Sequence, residues 1–244
     1  MKQTIMFDLD DTLVHCNKYF YLVIDQFVDL MKTWFASHPL TTEEIRDRQT
    51  EIDIAGVQTS GFKSEHFPES FVETYRYFSG LYGRKTNSAE EDHLWKLGLS
   101  VYESETEPYP YMEETLLKLQ LAGHDLHLYT GGEPLIQFKK IERFQLERYF
   151  NERIYVRQHK DIQALESIVS EQGFDRENTW MVGNSIRTDI VPALTAGIHA
   201  IYIPTKTEWQ YNIVEINVEP KGQFLTLQHL PDVPTAINEY AAGK

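Results

Sequence analysis

The chain has 244 residues, of which 41% are hydrophobic and 25% charged, so it is long and apolar enough to bury a core of its own. Its net charge of −14 repels duplex nucleic acid and anionic membrane surfaces at long range, which argues against either as a partner. No apolar run approaches the roughly 20 residues that span a bilayer, Asp8 interrupts the short apolar N-terminal stretch where a signal peptide would continue, and a single cysteine, Cys16, can form no internal disulfide, so a cytoplasmic protein is expected.

Residues 4–9 (Thr-Ile-Met-Phe-Asp-Leu) read as a short buried strand ending in acids. From about residue 17 to 104 there is almost no strand signal. Tyr19, Phe20, Leu22, Val23, Phe27, Leu30, Met31 and Trp34 recur at helical spacing there. Thr41, three residues before Glu44, predicts a capping box that opens a second helix. Residues 67–82 predict an aromatic-rich third helix, and Ser88-Ala89-Glu90-Glu91 predicts the cap of a fourth that carries Leu94, Trp95, Leu97 and Leu99. After Glu107-Pro108-Tyr109-Pro110 the pattern changes to alternation. It predicts helices over 112–122, to about Leu146 after the strand at 125–130, over 161–172 and over 188–196, with strands at 125–130, 153–156, 179–183 and 199–203 between them. A short strand near 224–227 and a helix from about 233 complete the chain. Alternation of this kind implies right-handed crossovers and a parallel sheet covered on both faces, which the strand at 4–9 must join. The expected fold is α/β: a doubly wound, Rossmann-like parallel-sheet core from residues 1–15 and 105–244, with a helical-bundle cap inserted as residues 16–104.

In open parallel sheets ligands sit beyond the carboxyl ends of the strands, which draws attention to Asp8–Thr12, Thr130–Glu133 and Gly183–Asp189. Asp8 and Asp10 lie two apart where a strand ends, so both can face one pocket. Carboxylates that close repel, and a hard divalent cation with a preference for oxygen ligands would relieve them. One carboxylate can attack phosphorus and a second can serve as acid and base, although an acidic turn that only binds water would read the same way. Thr130 followed by Gly131 and Gly132 puts a hydroxyl and exposed amides at a strand end, suited to an anion but equally to a plain turn. Lys160, just ahead of a helix, can neutralise a phosphoryl group, and Arg157 is its rival. Asp189 falls in the first turn after the strand at 179–183, where it could equally complement the helix dipole.

Taken in order, these four sites resemble the haloacid dehalogenase (HAD) superfamily. Asp8-Leu9-Asp10-Asp11-Thr12 is similar to its first motif, Asp-x-Asp-x-Thr, and Thr130 to the Thr or Ser of its second. Lys160, 24 residues before Asn184, and Gly183-Asn184-Ser185 with Asp189 resemble the third and fourth. The resemblance covers the whole α/β core, and the helical insertion falls where the family's C1 cap falls. It implies a Mg²⁺-dependent phosphatase of a small phosphorylated metabolite working through an aspartyl-phosphate. In that reading Asp8 is the nucleophile and Asp10 the general acid and base, with its backbone carbonyl at the metal. Thr130, Gly131, Lys160 and Asn184 contact the substrate, Lys160 also orients Asp8, and Asp8, Asp10 and Asp189 serve the Mg²⁺.

Asn184 departs from the pattern, since most phosphatases of the family carry a metal-binding Asp there. It is similar instead to the metal-free 2-haloacid dehalogenases of the superfamily. Asp10 points the other way, because an acid two residues after the nucleophile protonates an alkoxide and has no use in expelling halide. A non-catalytic binding module on the same fold is the third reading. For substrate contacts from the cap the candidates are His15, Lys18, Lys63 and His66, each otherwise a solvated surface residue. Phe71, Tyr75, Tyr77, Phe78, Tyr82 and Trp95 could stack on a ring substrate, but their helical spacing favours the bundle core. Substrate identity, the role of the Trp209 segment and oligomeric state are not legible in the residues.

Overall fold

The computed structural model describes residues 1–243. The chain forms two compact units, residues 1–17 with 106 onward, and Lys18–Glu105.

In the first unit six strands form one parallel sheet: β1 (Thr4–Phe7), β2 (Asp125–Gly131), β3 (Ile154–Arg157), β4 (Thr179–Gly183), β5 (His199–Tyr202) and β6 (Phe224–Thr226). Their spatial order is β3-β2-β1-β4-β5-β6. Ile5, Met6 and Phe7 are fully buried, because a central strand of a parallel sheet has both faces covered. Phe7 lies level with Leu128 on one side and Val182 on the other, so Asp8 is the first residue past the sheet, its N–H bonded to the Val182 carbonyl at 2.9 Å. The strand order reverses at β1, where the crossovers diverge and leave a crevice at the carboxyl ends.

One apolar layer, with Phe7, Leu128, Trp180, Met112, Leu116 and Phe150, covers one face of the sheet; the other, with Met6, Tyr129, Leu165, Met181 and Ala200, covers the opposite face. The connecting helices are α5 (Met112–Leu121), α6 (Pro134–Arg143), α7 (Glu147–Phe150), α8 (Ile162–Glu171), α9 (Val191–Ala196) and α10 (Val233–Ala242), numbered after the four helices of the second unit. The helix predicted to run to about 146 is interrupted. Gln145 takes φ = 51°, a left-handed value that a helix cannot contain, and α7 restarts beyond it. The helix predicted over 188–196 begins instead as a wide turn, Ile186–Ile190, in which the Ile190 N–H reaches back five residues to the Ser185 carbonyl. Pro192, which has no N–H to donate, then sits in the first turn of α9.

The second unit holds α1 (Asn17–Trp34), α2 (Thr42–Ser60), α3 (His66–Leu81) and α4 (Ser88–Leu99). Thr41 and Glu44 form the reciprocal capping box, the Thr41 N–H donating to Glu44 Oε2 at 2.8 Å and the Glu44 N–H to Thr41 Oγ1 at 3.2 Å. The cap of α4 lies one residue earlier than the sequence predicts: Asn87, in extended conformation, accepts the Ala89 N–H at 2.9 Å. Phe27 and Phe71 stack with centroids 4.2 Å apart among Phe67, Tyr75, Phe78 and Leu94, all buried. Tyr77 and Trp95, expected in that core, are instead exposed, at 46% and 37%. Among the described residues no helix is long and apolar enough to cross a membrane.

Candidate active site

The loop that leaves β1 doubles back at once. The Leu9 carbonyl accepts the N–H groups of Leu13 and Val14, both at 2.9 Å, and Asp11 takes φ = 60° to make the bend. Asp11 is turned away from the sheet end: its carboxylate accepts the Cys16 N–H at 3.1 Å and the Asn17 N–H at 2.8 Å, and so steadies the entry to α1. That tight turn presents Asp8, Asp10 and Thr12 at the mouth of the sheet.

Asp8 is buried beside Lys160, whose Nζ lies 2.5 Å from Asp8 Oδ1 and 2.5 Å from Asp189 Oδ1. Burial pushes the Asp8 carboxyl up to about 7 against the pull of Lys160, and Asp189 adds to the rise. Burial alone would lower the lysine, but the charges of Asp189 and Asp8 outweigh it and raise it above its ordinary value. Of the two cations near β3, Lys160 reaches Asp8, while Arg157 donates to the Val156 carbonyl at 3.0 Å.

Asp189 is held by the wide turn after β4. Its Oδ2 accepts the Ser185 N–H at 2.9 Å, and Gly183 is a glycine because a Cβ there would overlap that same carboxylate. Asp189 Oδ1 is buried, and the Lys160 ammonium is its charged partner. Asn184, the neighbour of that turn, is buried. Its Oδ1 lies 3.4 Å from Thr12 Oγ1, and the same hydroxyl is 3.1 Å from Asp8 Oδ2, so Asp8 and Asn184 converge on one proton.

Asp10 is half-buried and faces α6. Lys140 Nζ lies 2.6 Å from its Oδ1, and Gln137 Nε2 donates to its Oδ2 at 2.9 Å. Gln137 Nε2 also lies 2.6 Å from Thr130 Oγ1 and 2.8 Å from the Gly131 carbonyl, which ties the end of β2 to Asp10. Neither Gln137 nor Lys140 is marked by any sequence pattern beyond the i, i+3 spacing that sets both on one face of α6. Glu208 is a further residue the sequence reading missed: Asn184 Nδ2 donates to both its oxygens at 3.2 Å.

The remaining candidates make contacts of their own. His15 stacks on Tyr109 at 3.9 Å, Lys18 lies over the Tyr19 ring, Lys63 is exposed, and His66 meets Ser60 Oγ at 2.9 Å inside the helical unit. Trp209, for which the sequence offers no role, donates its N–H to Glu208 at 3.1 Å and packs its ring on Tyr211.

Four strand ends thus bring together a buried acid on a lysine, a second acid two residues on, a hydroxyl before two glycines, and a third acid behind a glycine. The sequence matches the family of haloacid dehalogenase-like hydrolases over residues 2–197. The chain belongs to that family. It is 27% identical to a protein named glyceraldehyde 3-phosphate phosphatase from Methanothermobacter thermautotrophicus, over 89% of this chain and 92% of that one. It is 26% identical to the pyrophosphatase PpaX of Halalkalibacterium halodurans, over 80% of each. A solved haloacid dehalogenase-like hydrolase from Xanthomonas campestris superposes with a TM-score of 0.79 at 22% identity, covering 99% of this chain and 93% of that one. As a member of the family the chain is a hydrolase built on the Rossmann-like core described above.

The residues present fit a divalent cation. Two buried carboxylates, Asp8 and Asp189, meet at one ammonium, Lys160, and the Asn184 amide oxygen and Asp8 approach the same Thr12 hydroxyl. The donor atoms are all oxygens, as hard cations prefer. Among the described residues no three His, Cys, Asp or Glu side chains are gathered into a ready cage, so a cation here would lean on an amide or backbone oxygen as well.

Proposed function

We propose that this HAD hydrolase is a Mg²⁺-dependent phosphatase that transfers the phosphoryl group of a small phosphorylated metabolite to Asp8. The observation that carries the reading is the buried Asp8–Lys160–Asp189 arrangement with Asp10 two residues beyond the nucleophile. Small phosphorylated compounds are what the names of the phosphatase relatives describe, which supports the substrate class.

In the first half-reaction an Asp8 oxygen attacks phosphorus, the bond from phosphorus to the leaving oxygen breaks, and a protonated Asp10 gives its proton to that oxygen. In the second, Asp10 takes a proton from water as the water oxygen attacks phosphorus; the bond to Asp8 breaks and orthophosphate leaves. Lys160 neutralises charge on the transferring group and keeps Asp8 oriented. Gln137 donates into Thr130 Oγ1, so the Thr130 hydroxyl proton, which has a long 3.4 Å contact to the Gly131 carbonyl, can turn to a phosphoryl oxygen at the Thr130-Gly131 turn. Mg²⁺, held by Asp8, the Asp10 carbonyl and Asn184 or Asp189, would supply positive charge to the phosphoryl oxygens.

A carboxylate at position 10 separates this reading from dehalogenation, which releases halide and needs no proton donor. Hydrolysis of an aryl phosphate, followed with Mg²⁺ and with a chelator, tests it: turnover is expected only with the metal. Halide release from a 2-chloro acid without metal, in the absence of phosphatase activity, would overturn it.

A further inference from the structure

The segment that follows β5 is pinned to the turn holding Asp189 by a set of side-chain bonds that the proposed chemistry does not use. Ser185 Oγ lies 3.0 Å from Asn212 Oδ1 and Arg187 Nε donates to the Tyr211 carbonyl at 2.5 Å, while Asn17, at the start of α1, donates its Nδ2 hydrogen to the Thr207 carbonyl at 3.0 Å. Glu208 sits at the centre. Its Oε1 accepts Asn212 Nδ2 at 2.6 Å and the Trp209 N–H at 3.1 Å, and both its oxygens face Asn184 Nδ2. A carboxylate accepts and does not donate, so only the NH₂ end of Asn184 can face it. That leaves Asn184 Oδ1 on the side of Thr12 and Asp8.

We propose that Glu208 is a positioning residue of the cation site: it aims the Asn184 carbonyl oxygen at Asp8 and supplies from a distant loop a carboxylate charge that residue 184 does not carry. Two features of the geometry support the assignment. Thr12 has one hydroxyl proton within reach of both Asp8 Oδ2 and Asn184 Oδ1, so these oxygens are drawn into one small space. Glu208 is half-buried against the amide, so its charge acts on the site through little solvent. Residues 184 and 208 then form a matched pair. An aspartate at 184 would place two carboxylates face to face, and a glutamine at 208 would leave Asn184 free to turn its amide either way.

This inference rests on the metal-dependent reading above. Its test uses the full chain, Mg²⁺ alone as the probe, and four proteins: wild type, Glu208→Gln, Asn184→Asp and the double variant. Calorimetric titration gives the Mg²⁺ dissociation constant, and thermal melting without metal gives the stability. Glu208→Gln is expected to weaken Mg²⁺ binding roughly 10- to 100-fold, the usual effect of losing a group that orients a ligand. Asn184→Asp is expected to lower the melting temperature of the metal-free protein by repulsion from Glu208. The double variant, which carries one carboxylate and one amide in exchanged places, is expected to recover both properties. Wild-type affinity in Glu208→Gln, or metal-free melting that falls additively in the double variant, would overturn the pairing while leaving Mg²⁺-dependent hydrolysis by wild type intact. A wild-type protein that binds no Mg²⁺ and hydrolyses no phosphate would overturn this inference together with the reading it rests on.

Discussion

At the scale of single residues, the candidate site depends on groups that must touch without overlapping. Gly183 is the clearest case. The Asp189 carboxylate folds back across it, so Gly183→Ala must push that acid away from Lys160 and the Ser185 N–H. Overpacking of this kind costs about 1–3 kcal/mol; a lower melting temperature together with reduced turnover is expected, and a variant matching wild type in both would contradict the placement of Asp189. Asp10→Asn keeps the shape at position 10 and removes the proton. It should lower kcat roughly 10²- to 10⁴-fold, the range for a positioned acid or base, with little change in the circular dichroism spectrum. The acids and the lysine were legible because they stand at strand ends in a recognisable order. Lys140, Gln137 and Glu208 were not, because their partners Asp10 and Asn184 lie in other segments of the chain and no local pattern links them.

At the scale of elements, strands were the easiest to read. A fully buried parallel strand such as Thr179–Gly183 is a short apolar run between turn signals, and its length, too short for a helix, decides the reading. Helix ends were harder. The break at Gln145 and the wide turn at Ile186–Ile190 are set by backbone conformation and by the Ser185 carbonyl, which the periodicity of apolar residues does not register. The helical unit shows how close approach fixes a residue: in α4, Gly98 packs against the Pro68 backbone of α3, where a Cβ would overlap Pro68 Cα. Backbone cannot rotate aside as a flexible side chain can. Gly98→Ala should therefore destabilise this unit by about 1–3 kcal/mol despite the better helix propensity of alanine; a denaturation midpoint equal to or above wild type would contradict the packing.

For the whole molecule, the buried charges set how stability follows pH. Asp53 lies in the helical unit, and burial raises its carboxyl to about 7 from an ordinary 3.8. An acid whose folded pKa is raised contributes stability below the unfolded value and loses it as pH climbs through the folded one. Between about pH 4 and 7 this term therefore runs against the chain. His127, which burial lowers to about 4, contributes in the opposite sense, stabilising above 6.5 and losing that stability as pH falls toward 4. Replacing one group isolates its share. Asp53→Asn should melt higher than wild type at pH 8, with the gap narrowing toward pH 4; a gap independent of pH would show that Asp53 is not a buried, titrating carboxyl. The overall α/β architecture was legible because strand–helix alternation admits few topologies.

The central claim is that the phosphoryl group passes through Asp8. It is tested most directly by quenching the enzyme with acid during turnover of a ³²P-labelled phosphate ester with Mg²⁺ and mapping the label on the chain. Hydroxylamine-labile label is expected on the peptide containing Asp8, and neither label nor turnover in Asp8→Asn. Turnover that persists in Asp8→Asn, or label on another residue, would contradict it.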